Sequence, residues 1–279
     1  MVSNVNQKKL KIGVMHILLI LGSISMILPF VWMFVTSIKP SIEILSWPPS
    51  FITKSPTLDN YRTVFHQAPF FRYFLNTLFI STISTLSILF TSSLSGFIFA
   101  KYRFLGRNIL FFILLATAMI PIQCYMVSLY ILINKLGWIN TYQGVVAPIL
   151  VMSLGIFFIR QNIIASIPNE MLEAARIDGC SEWRIYTSII LPLSRSALGA
   201  LAIFSYMNAW QFLIWPLIVI TDRNLYTMEL GLTMFQKRFT VDYGLISAGS
   251  SISVLPILII FFVLHKNIIE GITLTGLKE

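Results

Sequence analysis

Residues 73–100 read YFLNTLFISTISTLSILFTSSLSGFIFA, and none of these 28 residues is Asp, Glu, Lys or Arg. A helix needs about 20 mostly apolar residues to cross the hydrocarbon core of a membrane. In lipid the backbone must satisfy its own hydrogen bonds, so such a stretch is predicted to be one helix. Five further stretches also lack these four residue types: 12–38, 108–134, 136–159, 196–221 and 243–265. The sequence therefore predicts an all-α membrane protein with six transmembrane helices.

The composition excludes a soluble enzyme. Of the 279 residues 56% are hydrophobic and 11% are charged, and the mean hydropathy is +0.81. Soluble domains carry about 25% charged residues. A membrane β-barrel would need strands of alternating polarity, but Leu110–Leu115 and Leu255–Leu264 are continuous apolar runs.

The basic residues predict the orientation of the chain. Lys101, Arg103 and Arg107 lie between the second and third stretches, whereas the next connection carries only Lys135. Cytoplasmic loops are enriched in Lys and Arg, so both termini are predicted to lie in the cytoplasm. The net charge of +9 is read as an orientation signal, and no nucleic-acid partner is predicted.

The predicted layout has five parts, with the first apolar stretch kept as an anchor because it is too long for a signal peptide. They are a cytoplasmic tail (1–11), a first transmembrane helix (12–38), an extracytoplasmic loop (39–72), a five-helix core (73–265) and a cytoplasmic tail (266–279). A loop at 160–195, called here the coupling loop, lies inside the core and is predicted to be cytoplasmic.

The coupling loop has the signals of a helix–turn–helix. Pro168 suits the first turn of a helix, and residues 169–177 are good helix formers. Asp178-Gly179 is a turn or C-cap signal, and Ser181 can cap a second helix. Trp183, Tyr186, Ile189 and Ile190 would share one face of that helix, and Pro192 breaks the pattern. On physical grounds alone, an amphipathic loop resting on the membrane is an equally good interpretation.

The same residues resemble the EAA motif of ABC-importer permeases. Glu173-Ala174-Ala175 is followed by Asp178-Gly179, by Tyr186 seven residues after the glycine, and by Ile189-x-Leu191-Pro192. Tyr186 stands where the family usually has Phe, and Cys180 where it usually has Ala. The resemblance implies that Glu173, Ala174, Ala175, Asp178, Gly179, Tyr186, Leu191 and Pro192 couple the chain to an ATPase.

Further stretches resemble the carbohydrate importers of this family. Trp210–Leu217 is similar to their W-N-x-F-x-W-P-L segment, with Gln211 in place of Asn. The tail Gly271–Lys278 is similar to that of the second permease of maltose-type importers, and Asn76-Thr77 also fits. The resemblance implies a heterodimer with a homologous second permease, two cytoplasmic ATPase subunits that bind ATP and Mg, and an extracytoplasmic solute-binding protein. The expected location is a bacterial inner or plasma membrane.

Candidate pathway residues are polar or aromatic and lie within the fifth span. They are Tyr206, Asn208, Trp210 and Gln211. Amides hydrogen-bond sugar hydroxyls, and indole rings stack on sugar faces. Asn208 and Gln211 could instead bond to neighbouring helices.

A second candidate contact is the outer loop Asp222–Asp242. In maltose-type importers, the resemblance implies, this loop approaches the binding protein, so Gly231, Thr233, Phe235 and Gln236 are candidate contacts. Leu230, Leu232, Met234 and Phe235 predict a patch that is costly to leave in water, which supports a partner. The alternative is that these side chains dip into the outer lipid surface.

Other function classes have less support. The sequence has no Walker A motif, paired catalytic carboxylates, nucleophile motif or metal-ligand cluster, so no catalytic or metal-binding residue and no cofactor is predicted in this chain. A proton- or sodium-driven carrier usually keeps ionisable or broken-helix sites at mid-membrane. The spans carry no charged residue, which weakens the alternative of a secondary carrier for a polar, uncharged solute. An ABC importer of a glycerol-phosphate-type substrate shares the motifs and stays an alternative to a sugar importer.

Overall fold

The computed structural model describes residues 2–236 and 241–276, and this part of the chain is helical apart from loops and one isolated extended bridge, Gln236 to Val241. Short 3₁₀ turns cover Ala147–Ile149, Arg223–Leu225 and Thr233–Phe235, and a π turn covers Tyr186–Ile190. The α-helices are α1 Val2–Ser37, α2 Ser41–Ile44, α3 Asp59–Gln67, α4 Phe70–Lys101, α5 Arg107–Ala118, α6 Ile122–Lys135, α7 Tyr142–Val146, α8 Ser153–Ser166, α9 Asn169–Ile177, α10 Glu182–Ile185, α11 Leu191–Leu193, α12 Arg195–Trp210, α13 Ile214–Val219, α14 Met228–Leu232 and α15 Tyr243–Gly276.

Four of the predicted spans correspond to helical segments that are long and apolar enough to cross a membrane. The apolar part of α1 has 27 residues, α4 has 32, and the matching part of α15 has 21. The combined segment Arg195–Val219 contains α12 and α13 and has 25 residues. These segments agree with the first, second, fifth and sixth charge-free stretches.

The third and fourth stretches are not single helices, so that part of the prediction is wrong. Helices α5 and α6 meet at an angle of 95°, and the segments Tyr142–Ile149 and Ser153–Ser166 meet at 42°. Pro121 directly precedes α6 with extended backbone (ψ 142°). Proline has no N–H and disfavours helical backbone in the residue before it, so it interrupts the hydrogen-bond ladder at this point.

The chain forms two compact units, the first made of Met1–Ala68 with Leu232–Val254. Within it, Asn60 Nδ2 donates to the carbonyls of Ser37 (2.9 Å) and Lys39 (2.8 Å), at and just after the end of α1. The hydroxyl groups of Tyr61 and Ser37 are 2.8 Å apart. None of the apolar window of α1 is buried by the chain itself, so lipid or another subunit must cover it.

The second unit contains Pro69–Gly231 and Leu255–Glu279, and α4 packs there against α8 and α12. A Cβ on Gly96 would lie 3.0 Å from the backbone nitrogen of Arg160, and a Cβ on Gly155 would lie 2.6 Å from Ser92 Oγ. Small residues therefore allow these helices to approach closely, as is usual in membranes. One apolar cluster of this unit includes the inner face of the coupling loop.

Candidate functional site

The first arm of the helix–turn–helix is α9, and it ends at the glycine that the sequence indicated. Gly179 has a φ of +79°, a backbone conformation that glycine adopts without steric cost. Its N–H donates to the carbonyl of Arg176 (3.0 Å), and the N–H of Cys180 donates to that of Ala175 (2.9 Å). This pair of bonds is a Schellman motif, which satisfies carbonyls at the end of a helix and turns the chain.

The second arm begins at the predicted cap but is more irregular than expected. Ser181 Oγ accepts a hydrogen bond from the backbone N–H of Arg184 at 3.3 Å. Helix α10 then widens into the π turn before α11, which contains Pro192. Proline cannot donate to an α-helical ladder, and the wider turn stands directly before it. Both arms and the turn are therefore present.

Burial divides the predicted coupling residues into two groups. Tyr186 is buried, while Ala175 and Leu191 are partly buried against the same cluster. Glu173, Ala174, Asp178, Gly179 and Pro192 are exposed.

The exposed side of the two arms also carries large apolar side chains. The exposed fraction is 86% for Ile177, 60% for Trp183 and 42% for Met171. Met171, Ala174 and Ile177 recur every three residues on α9, so they lie along one side of it. These three residues and Trp183 are called here the docking face.

Helix α4 anchors the coupling loop. Lys101 Nζ, at the last residue of α4, donates to the carbonyl of Ile167 and, at 2.9 Å, to Asn169 Oδ1 at the start of α9. The hydroxyl groups of Ser93 and Tyr186 are 2.7 Å apart, and the Tyr186 ring stacks near Phe97. Both arms are therefore tied to the same end of α4.

A charged cluster joins the two arms to each other. Arg176 donates to both carboxylate oxygens of Glu182, from Nε at 2.7 Å and from a terminal nitrogen at 3.3 Å. The hydroxyl of Tyr102, which follows α4, donates to the same carboxylate. Hydrogen bonds from Arg176 and Tyr102 lower the pKa of Glu182, whereas burial and the neighbouring carboxylate raise the pKa of Tyr102.

The candidate pathway residues are divided between the inside and the outside of the second unit. Trp210 is fully buried, and the buried Tyr206 stacks on it at 5.6 Å between ring centroids. Asn208 and Gln211 are exposed, and Asn208 Nδ2 donates to the carbonyl of Phe204 in its own helix at 2.7 Å. Only the two amides are thus placed to meet a solute or a second chain.

The predicted apolar patch after the fifth span is not exposed, which corrects that expectation. Leu230, Leu232 and Phe235 have exposed fractions of 1%, 7% and 4%. Thr233 and Met234 are partly exposed and Gln236 is exposed, while residues 237–240 lie outside the described residues.

The described part of this loop, Asp222–Gln236, is called here the outer segment, and side chains of α4 hold its first half. Asn76 Nδ2 donates to the carbonyls of Asn224 and Tyr226, both at 2.9 Å, and Tyr142 donates to Asn76 Oδ1 at 2.6 Å. The N–H of Met228 donates to Thr77 Oγ1 at 2.8 Å. Leu230 packs with Ile80 and Trp215 in an apolar cluster of the second unit, so internal packing accounts for this residue.

Comparison with known proteins places the chain in a family. Residues 92–272 match the family model described as the inner membrane component of binding-protein-dependent transport systems. The chain belongs to this family. Its members are membrane transport components and not enzymes, so the predicted relationship to ABC-importer permeases and the membrane location are confirmed.

Three relatives align over nearly their whole length. The permease AraQ of the arabinooligosaccharide transport system of Bacillus subtilis (strain 168) is 34% identical over 259 residues, 92% of either chain. The trehalose/maltose permease MalG of Thermococcus litoralis is 32% identical and covers 94% of this chain and 97% of its own. The sn-glycerol-3-phosphate permease UgpE of Escherichia coli O1:K1 / APEC is 28% identical, covering 92% and 94%.

A solved structure supports the fold. The crystal structure of a bacterial ABC transporter involved in the import of the acidic polysaccharide alginate contains a chain that superposes with a TM-score of 0.80. The match covers 91% of this chain and 94% of that one, at 19% sequence identity. This inner membrane component therefore has the fold of an ABC-importer permease.

Sequence reasoning missed two sets of residues at the coupling loop. The period of three in Met171, Ala174 and Ile177 would have indicated the docking face. No sequence signal identified Lys101 and Tyr102, because their partners lie 66 to 80 residues further along the chain. Within the described part of the chain, no three His, Cys, Asp or Glu side chains are grouped as a metal site.

Proposed function

We propose that this inner membrane component is one of two permease subunits that form the pathway of an ATP-driven importer for a sugar or an oligosaccharide. The observation that best supports this proposal is the docking face, because large exposed apolar side chains surrounded by polar residues are typical of protein interfaces. Its occupant would be a cytoplasmic ATPase subunit, with Glu173 supplying a charge at the edge of the contact. Two such subunits would bind ATP and Mg, and this chain would hold no cofactor.

The proposed membrane arrangement has six spans, with both termini and the coupling loop in the cytoplasm. Four spans are the segments described above, and each bent pair of helices supplies one more. The predicted parts 1–11, 12–38, 39–72, 73–265 and 266–279 follow from that arrangement. Three bases, Lys101 at the end of α4, Arg103 between the helices and Arg107 at the start of α5, support this orientation.

Asn208 and Gln211 would line the pathway, while Tyr206 and Trp210 would hold α12 in place. Exposed amides are unfavourable against lipid, so they favour a solute or a homologous second permease as the neighbour. A binding protein would deliver the solute on the outer side. Gln236 and Thr233 stay candidate contacts for the binding protein. Gly231 and Phe235 are buried, so they would support the conformation of the outer segment without touching that partner.

Two alternatives are separated by chemistry. The similarity to the sn-glycerol-3-phosphate permease UgpE favours glycerol phosphate as the solute. Its negative charge, however, calls for basic side chains, and none occurs among the candidate pathway residues. A secondary carrier would transport without any ATPase, and the family relationship favours the importer. Both can be tested on the assembled protein.

The first experiment tests the docking face by co-purification. The tagged chain is expected to leave the membrane with a second permease and an ATPase. Ile177→Glu should keep the second permease and lose most of the ATPase, because it places a charge on the most exposed large apolar residue of the face. Ile42→Glu is the matched control, since Ile42 is 88% exposed and belongs to the proposed extracytoplasmic loop 39–72. ATPase retention by the Ile177 variant would contradict the proposal.

A second experiment identifies the solute class. ATP hydrolysis by the complex in proteoliposomes is measured with the binding protein and a panel of mono- and oligosaccharides and glycerol phosphate. Stimulation by a saccharide is expected. Stimulation by glycerol phosphate alone would favour the alternative, and uptake by the chain without its ATPase would favour a secondary carrier.

Orientation is tested with single cysteines in a background in which Cys124 and Cys180 are replaced by Ser. A cysteine at the exposed Asn224 should react with an impermeant thiol reagent from outside intact cells, and one at the exposed Asn108 should not. The reverse pattern would invert the proposed topology.

A further inference from the structure

The cluster of Tyr102, Arg176 and Glu182 connects both arms of the helix–turn–helix to the residue that follows α4. Arg176 is in the last turn of α9, and Glu182 is the first residue of α10. The Tyr102 ring also lies 6.0 Å from the Arg176 guanidinium carbon, within range of a cation–π contact. These three side chains are called here the latch.

The ion pair of the latch is too exposed to contribute much to folding. The side chains of Arg176 and Glu182 are 37% and 47% exposed, and ion pairs in such surroundings contribute little to stability. Their geometry is nevertheless specific, because a guanidinium that donates to both oxygens of one carboxylate fixes the orientation of both groups. The cluster therefore suits the control of an angle better than the stabilisation of a core.

We propose that the latch makes the helix–turn–helix and the end of α4 move as one rigid body, so that displacement of the docking face is passed to the membrane helices. The proposal rests on the proposed function, since it needs an ATPase on the docking face. Lys101 and the Ser93–Tyr186 pair tie each arm to α4 separately. The buried sides of the two arms already share one apolar cluster, and the latch adds a polar link between their exposed sides that resists a tilt of α9 relative to α10. The three residues are positioning residues, and none contacts solute or nucleotide.

A loosened latch should affect coupling more than assembly. ATPase subunits would still bind, because the docking face is intact, and would still hydrolyse ATP. Part of each displacement of the docking face would then bend the coupling loop instead of moving α4, so less solute would be carried for each ATP hydrolysed. Residues that transmit such motions typically change the coupling by about two- to thirtyfold when they are replaced.

The experiment measures uptake and ATP hydrolysis by the complete complex with its binding protein in proteoliposomes. Glu182→Gln and Tyr102→Phe should assemble like wild type, and the solute carried per ATP should fall about threefold to tenfold for Glu182→Gln and less for Tyr102→Phe. Arg103→Gln is the control, because Arg103 is exposed next to Tyr102 and makes no hydrogen bond or ion pair within the described part of the chain. It should keep the wild-type ratio.

Exchange of the two charges separates the latch from a merely structural role. Arg176→Glu alone should lower the ratio at least as much as Glu182→Gln, and Arg176→Glu with Glu182→Arg should recover part of it. An unchanged ratio in Glu182→Gln, or no recovery on exchange, overturns the latch. If Glu182→Gln fails to assemble, Tyr102→Phe decides, because it keeps the ion pair. A wild-type chain that binds no ATPase would instead refute the proposed function.

Discussion

The helix–turn–helix and the outer segment are both loops with more apolar residues than a solvated connector requires, yet they use those residues in opposite ways. Ile177 in the first is 86% exposed, and Leu230 in the second is 1% exposed. Apolar content alone therefore does not distinguish a loop that receives a partner from one that packs on its own protein. The two loops differ in whether other side chains of the same protein cover their apolar residues.

Such side chains are found around the first half of the outer segment, whereas the large apolar side chains of the docking face are exposed. Asn76 and Thr77 of α4 bind the backbone of the outer segment, and Leu230 packs in a cluster with Ile80 and Trp215. On α9, only the opposite side, which carries Leu172, is buried in the protein. The comparison predicts that changes in the outer segment reduce folding, whereas changes on the exposed side of the helix–turn–helix reduce coupling.

Among changes to the outer segment and to the side chains that hold it, the largest effect is expected for Asn76→Leu. It removes a side chain that binds two backbone carbonyls and a tyrosine hydroxyl, so three polar groups lose their partner. With about 1–3 kcal/mol for each unsatisfied buried group and partial access to water, the loss should be about 3 kcal/mol of folding free energy. The measurement is the yield and apparent Tm of the detergent-purified chain.

Asn108→Leu is the matched control for that measurement, because Asn108 is exposed and, among the described residues, its side chain only accepts a bond from the adjacent Arg107. It should change the apparent Tm little. Equal stability of the two variants would mean that Asn76 does not hold the outer segment.

The next effect is expected for Gly231→Ala in the outer segment. A Cβ there would lie 2.4 Å from Cδ2 of Tyr73, whose ring is fully buried between those of Phe70 and Tyr226. The ring cannot move away easily, so overpacking should cost about 1–3 kcal/mol and lower the yield of folded protein. A Gly231→Ala chain as stable as wild type would show that the outer segment is loosely packed.

Gly179→Ala sharpens the comparison at the helix–turn–helix. A Cβ there meets nothing within 4 Å, so only the left-handed backbone opposes it, at about 1–2 kcal/mol. Gly179→Asn should be better tolerated, because asparagine adopts this conformation more readily. Thermal unfolding of the three purified proteins checks the order glycine, asparagine, alanine. A loss larger for asparagine than for alanine would point to a steric cause.

The parts of the coupling loop that follow local rules could be predicted from the sequence. Gly179 and Ser181 act on backbone groups within a few residues of themselves, so their roles depend little on the rest of the fold. The breaks in the third and fourth spans were harder to predict. Pro121 interrupts a helix, while Pro29 and Pro256 lie inside α1 and α15, so a proline in an apolar run does not by itself decide where a helix ends.

Contacts between distant parts of the chain could not be predicted. Asn76 and the outer segment are about 150 residues apart, and nothing in the local pattern of either stretch names the other. The alternation of Leu230, Leu232 and Met234 correctly indicated that the segment needs cover, but it did not say that Ile80 of α4 packs in the same cluster as Leu230. The division of Asn208 and Trp210 between an exposed and a buried site depended in the same way on tertiary packing.

The smallest effect is expected for Tyr186→Phe, which introduces the residue that the family pattern usually has at this position. The phenylalanine ring keeps the stacking near Phe97 and the burial of Tyr186, and it loses only the hydroxyl bond to Ser93. Ser93 Oγ also donates to the carbonyl of Phe90 at 3.1 Å, so the change leaves no hydroxyl without a partner. The cost should be about 0.5–1 kcal/mol, seen as a small drop in apparent Tm with normal uptake.

Tyr186→Ala removes the whole ring from the cluster and should cost about 3–5 kcal/mol. If Tyr186→Phe impaired uptake as strongly as Tyr186→Ala, the hydroxyl bond to α4, and not the packed ring, would be what joins the second arm to the membrane helices.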